Sequence, residues 1–380
     1  MRAVGIICEY NPMHRGHAYL LEQAKGAECV VCVMSGSFTQ RGEAAVLPPA
    51  TRAEMALRSG ADLVLELPFP YACASARYFA TAGVRALAGM GCDTLLFGSE
   101  SADKATLLAA GERLLDDALI TACESRSPEV GDAAAHFAAL GDLPLSNDIL
   151  AMEYTRAILA EGCDMEISPV LRVGAAYRDT NAASPYPSAT ALRKILFERG
   201  DVTEHLPSTA VDAFRSGVER YGLADTARLG PALLALLRSG TLPEDVADAK
   251  GGLLAHLARA AQHATDYHTL CRAAATKRYT DGRLRRVMLY ALCGVQSEDL
   301  GAPPAYLRLL GANERGRAYL AKTRKTRTVC VTTKPSDVAA LGECAERQSD
   351  LSARADALYA LCMEKPTLPR TLTPTPPCFL

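Results

Sequence analysis

Two histidines, His14 and His17, stand three residues apart near the start of the 380-residue chain, with a glycine between them. The apolar run at residues 3–7 predicts a buried strand before them, and the Asn11-Pro12 step predicts a turn directly after that strand. Residues 16–25 have helical composition and apolar spacing. Both imidazoles are therefore expected on one face of the first helical turn.

This predicted start of a helix suits the binding of phosphate. Free backbone N–H groups and the positive end of the helix dipole would point at the ligand, and Gly16 lacks the Cβ that would keep a nucleotide away from the backbone. The structural alternative is that the histidines are helix caps or surface residues. Phosphate binding requires the strand, the turn and the helix that surround them, so we favour that interpretation.

A second anion-binding end is predicted much later in the chain. Ser188 and Thr190 stand at the expected start of a helix, and Arg193 follows one turn later. Hydroxyl groups and a guanidinium in this arrangement can bind a phosphate group. Taken alone, the pattern is also that of a capping box without its glutamate.

Apolar runs alternate with helical patterns through the first half of the chain. Runs with strand character occupy residues 3–7, 29–34, 61–67, 94–97 and 165–173. This alternation predicts an α/β fold with a parallel sheet, which binds its ligand at the carboxyl ends of the strands. In the loops there, Arg41 is equally consistent with anion contact and with a solvated loop, and Glu100 is expected to cap a helix.

Composition describes an ordinary soluble globular protein, with 22% charged and 49% hydrophobic residues and a length that allows two or three domains. We find no signal-peptide pattern and no apolar stretch of membrane length, so a cytoplasmic protein is expected. The thirteen cysteines mostly stand singly in apolar surroundings. The one close pair, Cys29 and Cys32, would point to opposite faces of a strand, so no metal site is expected.

Basic residues are concentrated in one part of the chain. Between Cys271 and Cys330, thirteen Lys and Arg stand against four Asp and Glu, so this segment carries +9 and the remainder −11. Strand patterns stop at about residue 204, apart from a short run at 328–333. We therefore predict a phosphate-binding α/β domain over 1–203, a helical domain over 204–363 that contacts RNA phosphates, and a disordered Pro- and Thr-rich tail over 364–380.

Joined together, these motifs resemble a known family. The chain resembles the HIGH-type nucleotidyltransferase superfamily, whose fold is a Rossmann-like parallel sheet. The resemblance lies in a strand followed by His-x-Gly-His and, after the fifth strand, in Ser-x-Thr-x-x-Arg at a helix start. More narrowly, several segments resemble the bacterial tRNA(Met) cytidine acetate ligase family. They are residues 9–17, 34–43, 60–68, 97–100, 146–150, 172–175, 276–280 and 310–316. The resemblance extends from residue 1 to about residue 325.

The resemblance implies a two-step reaction. Acetate attacks the α-phosphorus of ATP, which gives acetyl-adenylate and pyrophosphate. The exocyclic amine of the wobble cytidine in elongator tRNA(Met) then takes the acetyl group, and N4-acetylcytidine results. ATP is expected to act with Mg²⁺, either bound by protein carboxylates or brought by ATP alone. His14 and His17 would stabilise charge on the α-phosphate, and neither is needed as a base because acetate is already an anion.

The resemblance also implies which residues form the sites. The implied ATP site contains Ile7, Cys8, Glu9, Tyr10, Asn11, Pro12, Met13, His14, Arg15, Gly16, His17, Ala18, Tyr19, Leu20, Gly98, Asn147 and Arg172. Residue chemistry adds Ser188, Thr190 and Arg193. The predicted tRNA contacts are Lys277, Arg278, Tyr279, Arg283, Arg285 and Arg286. Among them Tyr279 is expected either to stack on an unpaired base or to belong to the core.

One segment departs from the family pattern. The family usually has a lysine and an aromatic residue before the positions that correspond to Thr51 and Arg52, whereas this chain has Pro48-Pro49-Ala50. If that lysine handles phosphate or acetate, a neighbour such as Arg52 or Arg41 has to replace it, or the activity is altered. Two alternatives stay open: a small-molecule adenylyltransferase of cofactor biosynthesis, which has the same ATP motifs, and a tRNA-binding protein without catalysis, with which Pro48-Pro49 is consistent.

Overall fold

The computed structural model describes residues 3–118, 120–121, 140, 148–172, 186–372 and 377–380. The strands in these ranges are β1 (Ala3–Cys8), β2 (Cys29–Ser35), β3 (Leu63–Leu67), β4 (Thr94–Ser99), β5 (Glu166–Leu171), β6 (Tyr306–Ala312), β7 (Cys330–Thr332) and β8 (Cys378–Phe379). The α-helices are α1 (Arg15–Glu22), α2 (Pro49–Arg58), α3 (Phe69–Ala72), α4 (Ala76–Gly89), α5 (Lys104–Arg113), α6 (Ile149–Glu161), α7 (Ala189–Phe197), α8 (Val211–Tyr221), α9 (Gly230–Arg238), α10 (Leu253–Ala261), α11 (Tyr267–Ala274), α12 (Asp281–Cys293), α13 (Glu314–Lys322), α14 (Glu343–Cys362) and α15 (Pro369–Leu372).

All these strands belong to one sheet, in the order β5-β4-β1-β2-β3-β6-β7, with β8 paired to β6. Strands β1 to β5 are parallel, and their order is that of a Rossmann-type sheet. The order reverses between β1 and β4, so a crevice is expected at the carboxyl ends of these two strands. The predicted parallel sheet is confirmed, and the His-x-Gly-His segment follows β1 at this crevice.

Both faces of the sheet are buried. In β2, Val31 and Val33 pack into one apolar cluster together with residues of α4 and α6, and Cys32 and Met34 pack into another on the opposite face. Alternation between two cores explains why the strands contain uninterrupted apolar runs. The predicted α/β class is confirmed.

The second half of the chain is mainly helical, as predicted, and α9 to α12 and α14 share an apolar core. Strand β6, which pairs antiparallel to β3, was not predicted from the sequence. Its Arg308 interrupted the apolar pattern, but this half-buried guanidinium pairs with two carboxylates, Glu66 at 2.5 Å and Asp356 at 3.2 Å. Strand β7 matches the predicted short run at 328–333. The boundaries between the domains stay a prediction.

The tail has more structure than predicted. Helix α15 and strand β8 lie within residues 364–380, and Cys378 and Phe379 pair with Gly311 and Ala312 of β6. The prediction of disorder is therefore wrong for these elements. It failed because a two-residue strand gains its hydrogen bonds from a partner distant in sequence. Within the described ranges, every helix is too short or too polar to cross a membrane.

Candidate active site

The two histidines cap the start of α1 and stack on each other. His14 is the N-cap residue, and its Nδ1 accepts a hydrogen bond from the Gly16 amide at 3.1 Å, while Nδ1 of His17 accepts one from the His14 amide at 3.3 Å. The ring centroids lie 3.7 Å apart. A Cβ on Gly16 would lie only 2.9 Å from Cε1 of His14, so this glycine is required for the imidazole to fold over the helix start.

Both imidazoles are held in the neutral form. Burial lowers the pKa of His14 to about 3, and the nearby charges of Arg172, Arg193 and His205 act in the same direction. Burial and the neighbouring His14 hold the pKa of His17 well below its usual range. Because each Nδ1 accepts a hydrogen bond, the proton of each neutral ring is on Nε2. The helix start therefore carries two imidazole N–H donors, so the cap interpretation and the phosphate interpretation are compatible.

The second predicted motif meets the first. Ser188 is the N-cap of α7, and its hydroxyl accepts from the Ala191 amide at 3.1 Å. Arg193 on the same helix donates to the Asn11 carbonyl at 3.0 Å and to the Thr190 hydroxyl at 3.3 Å. This contact joins the start of α7 to the turn after β1, so both predicted phosphate-binding ends lie at one place.

Strand β4 brings a further predicted residue to this crevice. Gly98 is exposed near the carboxyl end of β4, and a Cβ there would lie 3.2 Å from the Arg172 side chain. Arg172 continues β5 and donates its amide to the Ser99 carbonyl at 3.0 Å. The charges of Arg172 and Arg193 both act on His14. Cationic groups directly after β5 and on α7 therefore lie near the imidazoles, as an anionic ligand requires.

The loop after β4 is anchored by a residue that the sequence analysis did not single out. Asp148 is buried, and its carboxylate accepts from the Glu100 amide at 2.8 Å, the Ser99 hydroxyl at 2.9 Å and the Ser101 amide at 3.1 Å. The family motif at residues 146–150 includes position 148 but does not specify its residue type. This motif was the feature of the sequence that could have pointed to Asp148. Its predicted neighbour Asn147 lies outside the described residues.

The expectation that Glu100 caps a helix is wrong. Asp103 is the N-cap of α5, where its carboxylate accepts from the Ala105 amide at 3.0 Å and the Thr106 amide at 3.3 Å. The loop after β4 is longer than the sequence pattern indicated, so the helix begins three residues later.

Many of the remaining predicted ATP-site residues are buried and pack beneath the turn after β1. The side chains of Ile7, Cys8, Tyr10, Asn11, Pro12 and Met13 are buried. Asn11 Oδ1 accepts from the Val46 amide at 2.8 Å. The half-buried or exposed members are Glu9, Arg15, Gly16, Ala18, Tyr19 and Leu20. The buried set can contact a nucleotide only through its backbone, and the ligand contacts of the whole set stay a prediction.

Arg52 does not face this crevice. It is fully buried, and its guanidinium donates to the carbonyls of Leu47 at 2.9 Å, Glu9 at 2.6 Å and Ser35 at 3.0 Å, and also to the Gly36 carbonyl. Arg52 therefore holds the loops after β1 and β2 together, and the expectation that it replaces the family's lysine is wrong. Pro48 and Pro49 instead begin α2, where proline is favoured.

The loop after β2 packs between the crevice and the helical segment. The carboxylate of Glu9 accepts from the Gln40 amide at 2.7 Å, and burial raises the pKa of Glu9. Glu43 pairs with Arg193 at 3.6 Å and also with Arg285 on α12. Glu43 thus connects a predicted ATP-site residue to a predicted tRNA-site residue, and sequence patterns give no signal for this bridge.

The predicted arginine face of α12 is not presented to solvent. Arg283 and Arg286 pair with Asp248 at 3.2 and 3.0 Å, and Arg285 pairs with Glu43. Tyr279 is 7% exposed, and its hydroxyl donates to the Gly251 carbonyl at 2.7 Å. The three arginines therefore have partners within the fold, and Tyr279 takes the core position that was one of its two predicted alternatives. Contact of these side chains with tRNA stays a prediction. The other two predicted contacts, Lys277 and Arg278, are exposed.

A Rossmann-type sheet with His-x-Gly-His at its switch point defines the class of HIGH-type nucleotidyltransferases. In agreement with this, the sequence profile of the HIGH Nucleotidyl Transferase family matches residues 1–371. The predicted superfamily is confirmed.

Comparison with individual proteins identifies one family within this class of nucleotidyltransferases. The chain is 39% identical to a tRNA(Met) cytidine acetate ligase of Syntrophotalea carbinolica over 363 residues, which cover 89% of this chain and 86% of the relative. It is 32% identical to the enzyme of the same name from Acetivibrio thermocellus, with 96% of each chain covered. The chain belongs to the tRNA(Met) cytidine acetate ligase family.

Solved structures agree with this assignment. The apo form of Thermotoga maritima TmcAL matches with a TM-score of 0.93 and 28% identity over the full length of both chains. A second structure of that protein, bound with alpha-thio ATP, matches with a TM-score of 0.89 and 27% identity, also over both full chains.

Proposed function

We propose that this protein activates acetate with ATP and transfers the acetyl group to the wobble cytidine of elongator tRNA(Met), so that N4-acetylcytidine forms. The single observation that carries the proposal is the hydrogen bond from Arg193 to the Asn11 carbonyl, which joins the two phosphate-binding motifs. The family assignment supplies the substrates, because the named relatives are tRNA(Met) cytidine acetate ligases.

In the first step an acetate oxygen attacks the α-phosphorus of ATP, and the bond to the β-phosphate oxygen breaks. Negative charge grows on the non-bridging α-oxygens as this happens. The Nε2–H groups of His14 and His17 donate to these oxygens, and the start of α1 adds its positive dipole. Arg193, which joins the start of α7 to the turn after β1, holds the triphosphate. Neutral imidazoles suffice because acetate needs no deprotonation at neutral pH.

In the second step the exocyclic amine of the cytidine attacks the acetyl carbonyl, AMP leaves, and one amine proton is released. Because the tRNA base has to reach the adenylate at the start of α1, the anticodon loop must approach the crevice between β1 and β4. A tRNA substrate also places the reaction in the cytoplasm.

We further propose that Mg²⁺ enters with ATP rather than on a protein site of its own. Within the described ranges, no group of three or more His, Cys, Asp and Glu side chains is arranged to hold a metal ion. When bound, Mg²⁺ supplies charge neutralisation on the phosphates that become pyrophosphate.

The test is incubation of the full-length protein with ATP, Mg²⁺, acetate and elongator tRNA(Met), followed by mass spectrometry of the nucleosides. We expect acetylcytidine only when all components are present, and pyrophosphate release that depends on acetate. A reaction without acetate serves as the control.

Each other outcome points to a different class of protein. A stable dinucleotide product without any need for tRNA would establish the small-molecule adenylyltransferase instead. Binding of tRNA without pyrophosphate release would establish a protein that lacks catalysis. Absence of acetylcytidine from the complete reaction refutes the proposal.

A further inference from the structure

A basic cleft lies beside the proposed adenylation site. It has a volume of about 650 Å³ and runs along α1 from Arg15, at the start of the helix, to Lys25, in the turn that follows it. The end of α2, including Arg58, and the start of α13, including Arg315, form its other walls. Arg15 directly follows His14 in the chain, so one end of the cleft opens next to the two imidazoles.

The charge of this cleft stands out against the rest of the protein. Its lining contains the four cations Arg15, Lys25, Arg58 and Arg315 and one carboxylate, that of Glu22. The chain as a whole has a formal charge of −2. A concave surface lined by charge of one sign concentrates ligands of the opposite sign.

Most of these cations are available to a ligand. Arg15 and Lys25 are exposed, and neither makes an ion pair with any described residue. Among the described residues, Arg58 pairs with Glu54 one turn earlier on α2, at 2.8 Å, and a surface pair of this kind is weak enough to be exchanged for another anion. Arg315 is held more firmly, because it pairs with Asp62 at 3.5 Å and donates to the Glu28 carbonyl at 3.0 Å.

An aromatic ring accompanies the cations. Tyr19 on α1 lines the same cleft and is half-buried. Basic grooves that contain aromatic side chains are typical of proteins that bind single-stranded nucleic acid, because phosphates contact the cations and bases stack on the rings. The arginines of α12, by comparison, form ion pairs with Asp248 and Glu43 within the fold.

We propose that this cleft holds the phosphate backbone of the RNA substrate, so that the strand beside the target cytidine runs along α1 away from the histidines. This inference rests on the proposed function, since it names the surface on which the same substrate lies. The cleft starts one residue from His14, which is where an RNA strand must lie if one of its bases is to reach the adenylate.

The test uses the full-length double variant Lys25→Ala/Arg58→Ala, because neither side chain belongs to the proposed ATP site and both are exposed. Its affinity for elongator tRNA(Met) is measured by filter binding between about 50 and 300 mM KCl. If both cations contact phosphate, the slope of log K against log salt becomes less steep by about 1.5, and binding at about 0.1 M weakens roughly 30-fold. Acetate-dependent pyrophosphate release without tRNA stays at the wild-type rate.

A matched control is Lys104→Ala. Lys104 is similarly exposed but pairs with Glu166 on β5, at the opposite edge of the sheet from β6 and β7, and its loss is expected to leave tRNA affinity unchanged. Unchanged affinity and slope in the double variant would overturn the proposal. A fall in pyrophosphate release equal to the fall in tRNA affinity would also overturn it, because the cleft would then serve ATP. If the wild-type protein binds tRNA but forms no acetylcytidine, only the proposed function fails.

Discussion

The neutral imidazoles at the start of α1 make a specific prediction about pH. With the pKa of His14 lowered to about 3, only about one ring in a thousand is protonated at about pH 6. An ordinary histidine with a pKa of 6.5 would be about three-quarters protonated there. Catalysis by a neutral N–H donor therefore persists unchanged through the range in which an ordinary histidine titrates.

Two variants separate catalysis from capping. His14→Ala removes both the Nε2–H donor and the cap, so we expect acetate-dependent pyrophosphate release to fall about 100- to 1000-fold and the free energy of unfolding to fall by about 1 kcal/mol. His14→Asn keeps an oxygen that can cap the helix but has no donor at the position of Nε2. We expect the same loss of rate with nearly wild-type stability.

The assay is steady-state pyrophosphate release between about pH 6 and 8, with each wild-type rate divided by the His14→Asn rate at the same pH. The division removes the titration of ATP itself. We expect a constant ratio. A ratio that follows a pKa near 6.5 would show that His14 is protonated during catalysis, and near wild-type activity in His14→Asn would reduce its role to capping.

Three further substitutions and one pH effect test the surroundings of the site. Arg52→Met leaves four carbonyls without their donor and should lower the free energy of unfolding in urea by about 3–5 kcal/mol, and a loss below about 1 kcal/mol would contradict the role assigned to it. Arg193→Lys keeps the charge but loses the planar guanidinium with its several N–H donors, so KM for ATP should rise about tenfold. An unchanged KM would show that the triphosphate binds elsewhere. Asp148→Ala frees the amides of the loop after β4 and should speed their hydrogen exchange while that of β2 stays slow; equal protection in both proteins would refute the anchoring role. Because the folded pKa of His14 lies below 6.5, its contribution to stability is complete above about pH 6.5 and is lost as the pH falls toward 3, which urea titrations of wild type and His14→Asn at several pH values check.

Local sequence was sufficient to predict the parallel sheet and the two helix starts that meet at the candidate site. The strand, the turn and the first helix could be predicted because apolar periodicity, an Asn-Pro step and helix caps act over a few residues. The parallel sheet followed from the alternation of strands and helices, and chemistry at the helix starts pointed to His14, His17, Ser188 and Arg193.

Only the tertiary structure decided which charged groups are available. Arg283, Arg285 and Arg286 look like an RNA-binding face in the sequence, but Asp248 and Glu43 form ion pairs with them from 35 or more positions away in the chain. The basic cleft along α1 likewise takes its cations from α1, α2 and α13, and no short segment contains them together. The physical reason is that an ion pair depends on distance in space, which a sequence read in short windows does not give.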